Sequence, residues 1–455
     1  MRLTALPLLV VSSLLLATAV NAATRPRYGG TMHVALRAAP MSLDPASSNQ
    51  ADWVASRNLS PLIFDTLITL DDAGNPQPAL ASSWQSDPGK QRWQFSLRNG
   101  VTFHDGTPLT STAVAASLRV SNPNWKVSSA GEAIVIECES PDANLLAELA
   151  LPRNSIAKRD GANINGTGAF AVSQWEPGKK LTLKANDSYW GGRAFLDSIE
   201  IELGANFREQ VISFGLGKTQ LIEIAPEQAR RFSAEGRHVE SSAPVELMAL
   251  VFSHDPQSPE EGHLRGALSL SIDRNSLSNI VLQGGGEPAG GLLPNWMTGY
   301  SFIFPVSADM THAQQERAEA PRASLWTLAF DAADPIERVV AERIALSAGE
   351  AGLRLQTTSS ATADMRLVRV SLSSLDARVA LTQIVAALGL AQPKFNGNAV
   401  EDLYAAENAL LRSHRIIPLL HLRTAWGVHE TVKGWSEGRD GSWRLRDVWL
   451  GPEKP

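Results

Sequence analysis

Apolar residues alternate with polar ones at Trp93, Phe95 and Leu97, the chain turns at Asn99-Gly100, and apolar positions return at Val101 and Phe103. A two-residue turn of this kind favours residues that tolerate positive φ, so the pattern predicts a β-hairpin over 93–104. A second turn, Asp105-Gly106-Thr107-Pro108, leads to Thr110 and Ser111, either of which can cap a helix carrying Val114 and Leu118. Strands are predicted at 181–183 and 199–203, so the first half reads as rich in strands and turns. From Gly262 the spacing becomes helical: Leu264, Leu268 and Ile272 lie one turn apart. Asp273 or Asn275 can then cap a second helix carrying Leu277, Ile280 and Val281. A strand at 325–330 follows, then a helix opened by Asp334-Pro335 with Ile336, Val339, Val340 and Ile344 on one side, then a strand at 353–355. This strand-helix-strand unit predicts an α/β second half. An amphipathic helix with Val400, Leu403, Tyr404, Leu410 and Leu411 leads into an apolar strand over 416–422, and the polar stretch 311–321 reads as a linker.

The N-terminus carries Arg2, an apolar run over 3–20 and then Val20-Asn21-Ala22, the pattern of a secretory signal peptide cleaved after Ala22. No other stretch approaches the ~20 apolar residues of a spanning helix, so a soluble mature chain is expected. The lone cysteine, Cys138, predicts neither a disulfide framework nor a lipid-anchored N-terminus. With 41 basic and 47 acidic residues, a net charge of −6 and no Lys/Arg cluster, nucleic acid is not an expected partner. A chain of 455 residues, 44% of them apolar, exceeds one compact core and predicts two or three units.

Motifs that could carry chemistry fail on context. Gly434-Trp435-Ser436-Glu437-Gly438 matches the nucleophile-elbow string, but a turn at Asp440-Gly441 follows where a helix is needed, and no histidine comes after it. Gly217-Lys218-Thr219 has Ile212 where a phosphate loop needs its first glycine. The nine histidines form no ligand pair at helical spacing, so neither a metal nor a cofactor is expected. His104 beside Asp105 reads as a turn-stabilising pair.

An ordered set of turn and strand motifs resembles the extracellular solute-binding protein family 5, the dipeptide, oligopeptide and nickel receptors of ABC importers. It comprises Tyr28-Gly29-Gly30-Thr31, Ser42-Leu43-Asp44-Pro45, and Leu62-Ile63-Phe64-Asp65-Thr66-Leu67. It continues through Val101-Thr102-Phe103-His104-Asp105-Gly106-Thr107-Pro108, Gly166-Thr167-Gly168-Ala169-Phe170, Trp175-Glu176-Pro177-Gly178 and Tyr189-Trp190-Gly191-Gly192. The stretch from Arg265-Gly266-Ala267-Leu268 to Asp273-Arg274 follows, and the ending from Ile417-Pro418-Leu419 through Trp449 also fits. The resemblance implies an α/β fold of two lobes, the type II periplasmic binding protein or Venus flytrap. A signal peptide (1–22) precedes an N-terminal lobe (23–254), a second α/β lobe (255–414) and a C-terminal segment (415–455) that completes the first lobe. The short stretch between Leu118 and Gly166 implies a reduced extra subdomain.

The function implied is that of a periplasmic receptor, a monomer without enzymatic activity, that delivers a peptide or other small polar solute to an ABC permease in the inner membrane. A ligand-presenting partner of a chemoreceptor or kinase is the alternative among binding proteins, and a secreted hydrolase is the alternative from another class. By position in the family pattern, Asn49, Gln50 and Trp53 point to the cleft from the first lobe, and His421 and Arg423 lie on a crossing strand. Met248 and Leu250 on the other crossing strand serve equally well as core. Peptide receptors place an aspartate in the second lobe where this chain reads Val370-Ser371-Leu372-Ser373-Ser374, so the cleft is expected to lack a carboxylate there and Arg423 to grip an anionic solute.

Overall fold

The computed structural model describes residues 25–47, 53–161, 163–320, 325–360 and 362–452, so the expected signal peptide lies outside the described residues. The first elements in the chain are β1 (Thr31–Ala35), α1 (Trp53–Ile63), β2 (Ala81–Ser86), β3 (Arg92–Leu97), α2 (Ser111–Ser121), β4 (Lys126–Ala130) and β5 (Ala133–Glu137). Next come β6 (Phe170–Glu176), β7 (Lys180–Ala185), β8 (Ser198–Glu202), β9 (Leu221–Ile224) and the long β10 (Val239–Phe252). They are followed by α3 (Pro259–Ser271), β11 (Gly286–Pro288), α4 (Met310–Ala318), β12 (Leu325–Ala329), α5 (Pro335–Glu350) and β13 (Arg354–Thr358). The last are β14 (Met365–Ser371), α6 (Ala377–Ala387), α7 (Val400–Arg412) and β15 (Ile416–Val428).

One sheet runs the length of the molecule in the order β6-β7-β8-β1-β9-β15-β10-β14-β12-β13, with β11 also paired to β15. Its middle is the antiparallel pair β10 and β15. At one end of this pair β15 bonds to β9, and at the other β10 bonds to β14, so the two long strands tie two half-sheets together. Their side chains show why they sit centrally. Along β10, Met248, Leu250 and Phe252 enter one core while Leu247, Ala249 and Val251 enter another, as the two-residue period of a strand buried on both faces requires. β15 gives Ile417 and Leu420 to the second-half core and Trp426 and Val428 to the first-half core. A separate four-stranded sheet, β2-β3-β5-β4, packs with α2 over its own core of Trp93, Phe95, Val114 and Leu118.

The helix caps follow the residue chemistry. Thr110 Oγ1 accepts the Ala113 N–H, and Asp334 Oδ1 accepts the Ile336 N–H at the start of α5. The β12-α5-β13 unit is present and its strands are parallel, but Val339 is 45% exposed rather than inward-facing. Two expectations are corrected. The strand at 93–97 pairs with β2 and β5, not with 101–103; Val101 and Phe103 instead belong to a small turn of their own, in which the Phe103 N–H donates to Thr107 O. The polar stretch read as a linker contains α4, whose one buried residue, Ala313, seats it in the second-half core; one small apolar contact leaves almost no periodic signal.

Candidate ligand-binding site

A cavity of about 440 Å³ lies where the two half-sheets face each other. Its first wall comes from the chain after β1 (Arg37, Ser42, Asp44, Pro45) and from the inner side of α1 (Ser60, Ile63). The opposite wall comes from β14 and the loop after it (Arg369, Ser371, Ser373), from α5 with the loop before it (Asp331, Asp334, Glu337), and from α6 (Gln383). Glu246, on the crossing strand β10, supplies part of the floor.

Polar groups organise this space. Arg369 donates to Glu246 Oε2 from Nε (2.9 Å) and to Asp334 Oδ2 from Nη1 (3.0 Å). Burial works against the guanidinium's charge, but Glu246 and Asp334 more than offset it and raise its pKa. Asp334 is shared: Arg37 Nη1 stands 3.6 Å from its Oδ2, so one carboxylate links the strand end of the first half to the helix start of the second. On another side Arg153 donates to Gln383 Oε1 across the gap (2.6 Å) while holding Glu148. Glu337, 7% exposed, accepts the Asp331 N–H (2.9 Å); burial, with Asp334 and Asp331 adding to it, pushes its pKa up to about 7. Two hydroxyls of the wall, Ser60 Oγ and Ser373 Oγ, are buried and bond to nothing among the described residues. The result is a charged, half-closed pocket with free donors on both sides and a volume at the low end of the ~300–1,000 Å³ usual for ligand sites.

A model of the bacterial extracellular solute-binding proteins, family 5, matches residues 75–386. The chain belongs to this family. A relative, "Uncharacterized protein YhjP" of Bacillus subtilis (strain 168), is 36% identical over 193 residues, which cover 39% of this chain and 32% of that one. The "Probable D,D-dipeptide-binding periplasmic protein DdpA" of Escherichia coli (strain K12) is 23% identical over 72% of this chain and 70% of its own length. The chain thus spans about a third of the first relative and rather more than two thirds of the second. NikA from Staphylococcus aureus, solved in complex with Ni(L-His)2, superposes with a TM-score of 0.77 over 92% of this chain and 100% of its own, at 16% identity. The two-lobed family 5 architecture is therefore the fold of this chain, and no helix among the described residues is long and apolar enough to cross a membrane.

The family 5 pattern locates part of the pocket. The Ser42-Leu43-Asp44-Pro45 turn and the 370–373 stretch both line it. Of the five residues expected in the cleft, Asn49 and Gln50 lie outside the described residues, and Trp53 opens α1. His421 and Arg423 are not brought to this cavity. His421 is 4% exposed, with Nε2 3.2 Å from Leu292 O, and Arg423 pairs with Glu287 on β11 and donates to Ser242 O. Met248 and Leu250 are core. The 370–374 stretch supplies no carboxylate to the cavity, yet Glu246, Asp331, Asp334 and Glu337 all line it. They come from the crossing strand and from the start of α5, not from the stretch after β14. Asp334-Pro335 is legible as a helix start, and a capping carboxylate carries no sequence mark that it also borders a cavity. Arg369 stands within a strand pattern, so only its pairing partners distinguish it.

Proposed function

We propose that this protein is the solute-binding component of an ABC importer, exported by its signal peptide to the periplasm, where it closes two lobes over a small polar solute and hands it to a membrane permease without transforming it. The observation that carries this reading is the cavity itself, walled from both half-sheets and bridged by the long strands β10 and β15. A solute touching both walls favours the closed arrangement by its differential contacts, and a permease that recognises only the closed form then responds to occupancy. The crossings between lobes fall on β10 and β15, so the first lobe is discontinuous and is completed by the chain's last segment. The pocket size suits a solute of the scale named for the relatives, a dipeptide or an amino-acid complex, better than a long peptide.

The test is to purify the protein from its native cells, identify by mass spectrometry any small solute that travels with it, strip that solute by reversible unfolding, and add it back. A smaller radius of gyration and a higher melting temperature on re-addition are expected. An unchanged radius at saturation would overturn the closing-lobe reading.

A further inference from the structure

The four-stranded sheet β2-β3-β5-β4 belongs to neither half of the long sheet, yet the chain that leaves it reaches the second half. The helical turn Leu145–Leu149 carries apolar side chains in two directions. Leu145 and Leu149, four residues apart, enter the small-sheet core with Trp93 and Phe95. Ala147 and Leu151, also four apart, leave that core and form a separate buried cluster with Val379 of α6. α6 is divided in the same way. Ala380, Leu381, Ile384 and Val385 fill a core of the second half, while Val379 and, one turn on, Gln383 meet the small-sheet unit.

Further contacts extend this seam. Arg153 donates to Gln383 Oε1 at 2.6 Å. At the start of α6, a Cβ on Gly74 would stand 2.9 Å from Leu375 O, so the turn that holds Gly74 lies directly against the chain entering the helix. Leu70, just before that turn, packs on the Val379 cluster. Pro152, Arg153, Gln383, Ala386 and Ala387 line the solute cavity, so the seam runs along one of its borders. The apolar surface buried there stabilises the contact whether or not a solute is present.

We propose that the small-sheet unit is a lid on the solute cavity, which seals the cavity along the Arg153 and Gln383 border by seating Ala147 and Leu151 on Val379, and which holds the empty protein partly closed. This rests on the closing-lobe reading and adds the element that latches it. A solute then meets molecules already part of the way to the closed form, so less of its binding energy is spent on closure. It leaves when Val379 is uncovered.

Hydrogen exchange of the solute-free full chain, read by mass spectrometry, tests the lid from both sides of the seam. Val379→Asp puts a charge into the apolar seat, and exchange at amides 145–154, across the seam, should rise by about tenfold or more. Leu151→Asp should do the same to amides 377–387. Amides of β7 and β8, away from the seam, should exchange as in the wild type. Val379→Ala and Leu151→Ala, which add no charge, should produce smaller rises at the same places and keep the test sound if an aspartate variant unfolds. Small-angle scattering of the solute-free variants should give a larger radius of gyration than the wild type. Exchange that rises only on the mutated side, or an unchanged radius, would overturn the lid. Neither result bears on whether the protein binds a solute, which the co-purified molecule decides separately.

Discussion

His421 lies inside the sheet with its ring against the Leu292 carbonyl, and burial pushes its pKa down to about 4. An unfolded histidine titrates near ~6.5, so between about pH 6.5 and about pH 4 the unfolded chain binds a proton that the folded chain refuses. The stability this neutral ring supports is complete above pH 6.5 and is lost as pH falls, approaching about 3 kcal/mol at pH 4. Urea unfolding at about pH 7.5 and pH 4.5 should therefore show a larger acid loss for the wild type than for His421→Gln; equal losses would mean that the ring is not buried. Glu407 is the complementary case. Burial raises its pKa, yet Oε1 accepts the Leu292 and Leu293 N–H groups and Oε2 accepts the Tyr300 hydroxyl at 2.7 Å. Glu407→Leu orphans two backbone donors and a phenol, so a loss of about 2–4 kcal/mol is expected in the same assay, and Glu407→Gln, which keeps an acceptor, should cost less. The sequence pattern does not separate these roles. His421 and Arg423 stand two residues apart on one strand, where the two-residue period gives them the same face, and β11, which pairs with 420–422, is a three-residue strand with no periodic signature.

At the scale of elements, the Gly166-Thr167-Gly168 motif shows why some of the architecture was readable. A Cβ on Gly166 would stand 1.9 Å from Ile63 O, and one on Gly168 would stand 2.5 Å from the Ile63 carbonyl carbon, while the Gly168 N–H donates to Ile63 O. The segment thus lies flat against the C-terminal end of α1, where only glycine fits. Gly168→Ala should cost about 2–4 kcal/mol by forcing two backbone segments apart, and a melting temperature unchanged from wild type would refute the close approach. Motifs of this kind are local and steric, which is why the turns, the Thr110 and Asp334 caps and the β12-α5-β13 unit could be read from the chain. The errors fell where pairing is decided at a distance. β3 has the alternation of a hairpin strand, but its neighbours come from 81–86 and 133–137. The cavity is harder still. Its walls join residue 37 to residue 369 and residue 60 to residue 373, and no window of sequence spans those separations.

Besides the crossing strands, individual side-chain contacts join the two halves, and on the closing-lobe reading these set the balance between open and closed forms. Arg37 meets Asp334, Arg153 donates to Gln383, and Val379 of α6 packs with Ala147 and Leu151, with Leu70 partly buried against them. Gln383 is the cleanest place to intervene. Gln383→Ala removes the acceptor of a charge-assisted hydrogen bond worth about 1.5–3 kcal/mol, and Arg153 keeps Glu148, so no charge is stranded. That energy is lost only from the closed form, because the bond joins groups that separate on opening. The ratio of closed to open molecules should therefore fall by about tenfold or more. Apparent affinity scales with the closed fraction, so the variant should bind the re-added solute more weakly while its calorimetric unfolding profile in the solute-free state stays close to that of the wild type. The solute-free variant should also show a larger radius of gyration in small-angle scattering, and saturating solute should return it to the wild-type closed value. If radius and affinity both match the wild type, the Arg153 to Gln383 contact does not govern closure, and the Arg37 to Asp334 pair is the next one to break.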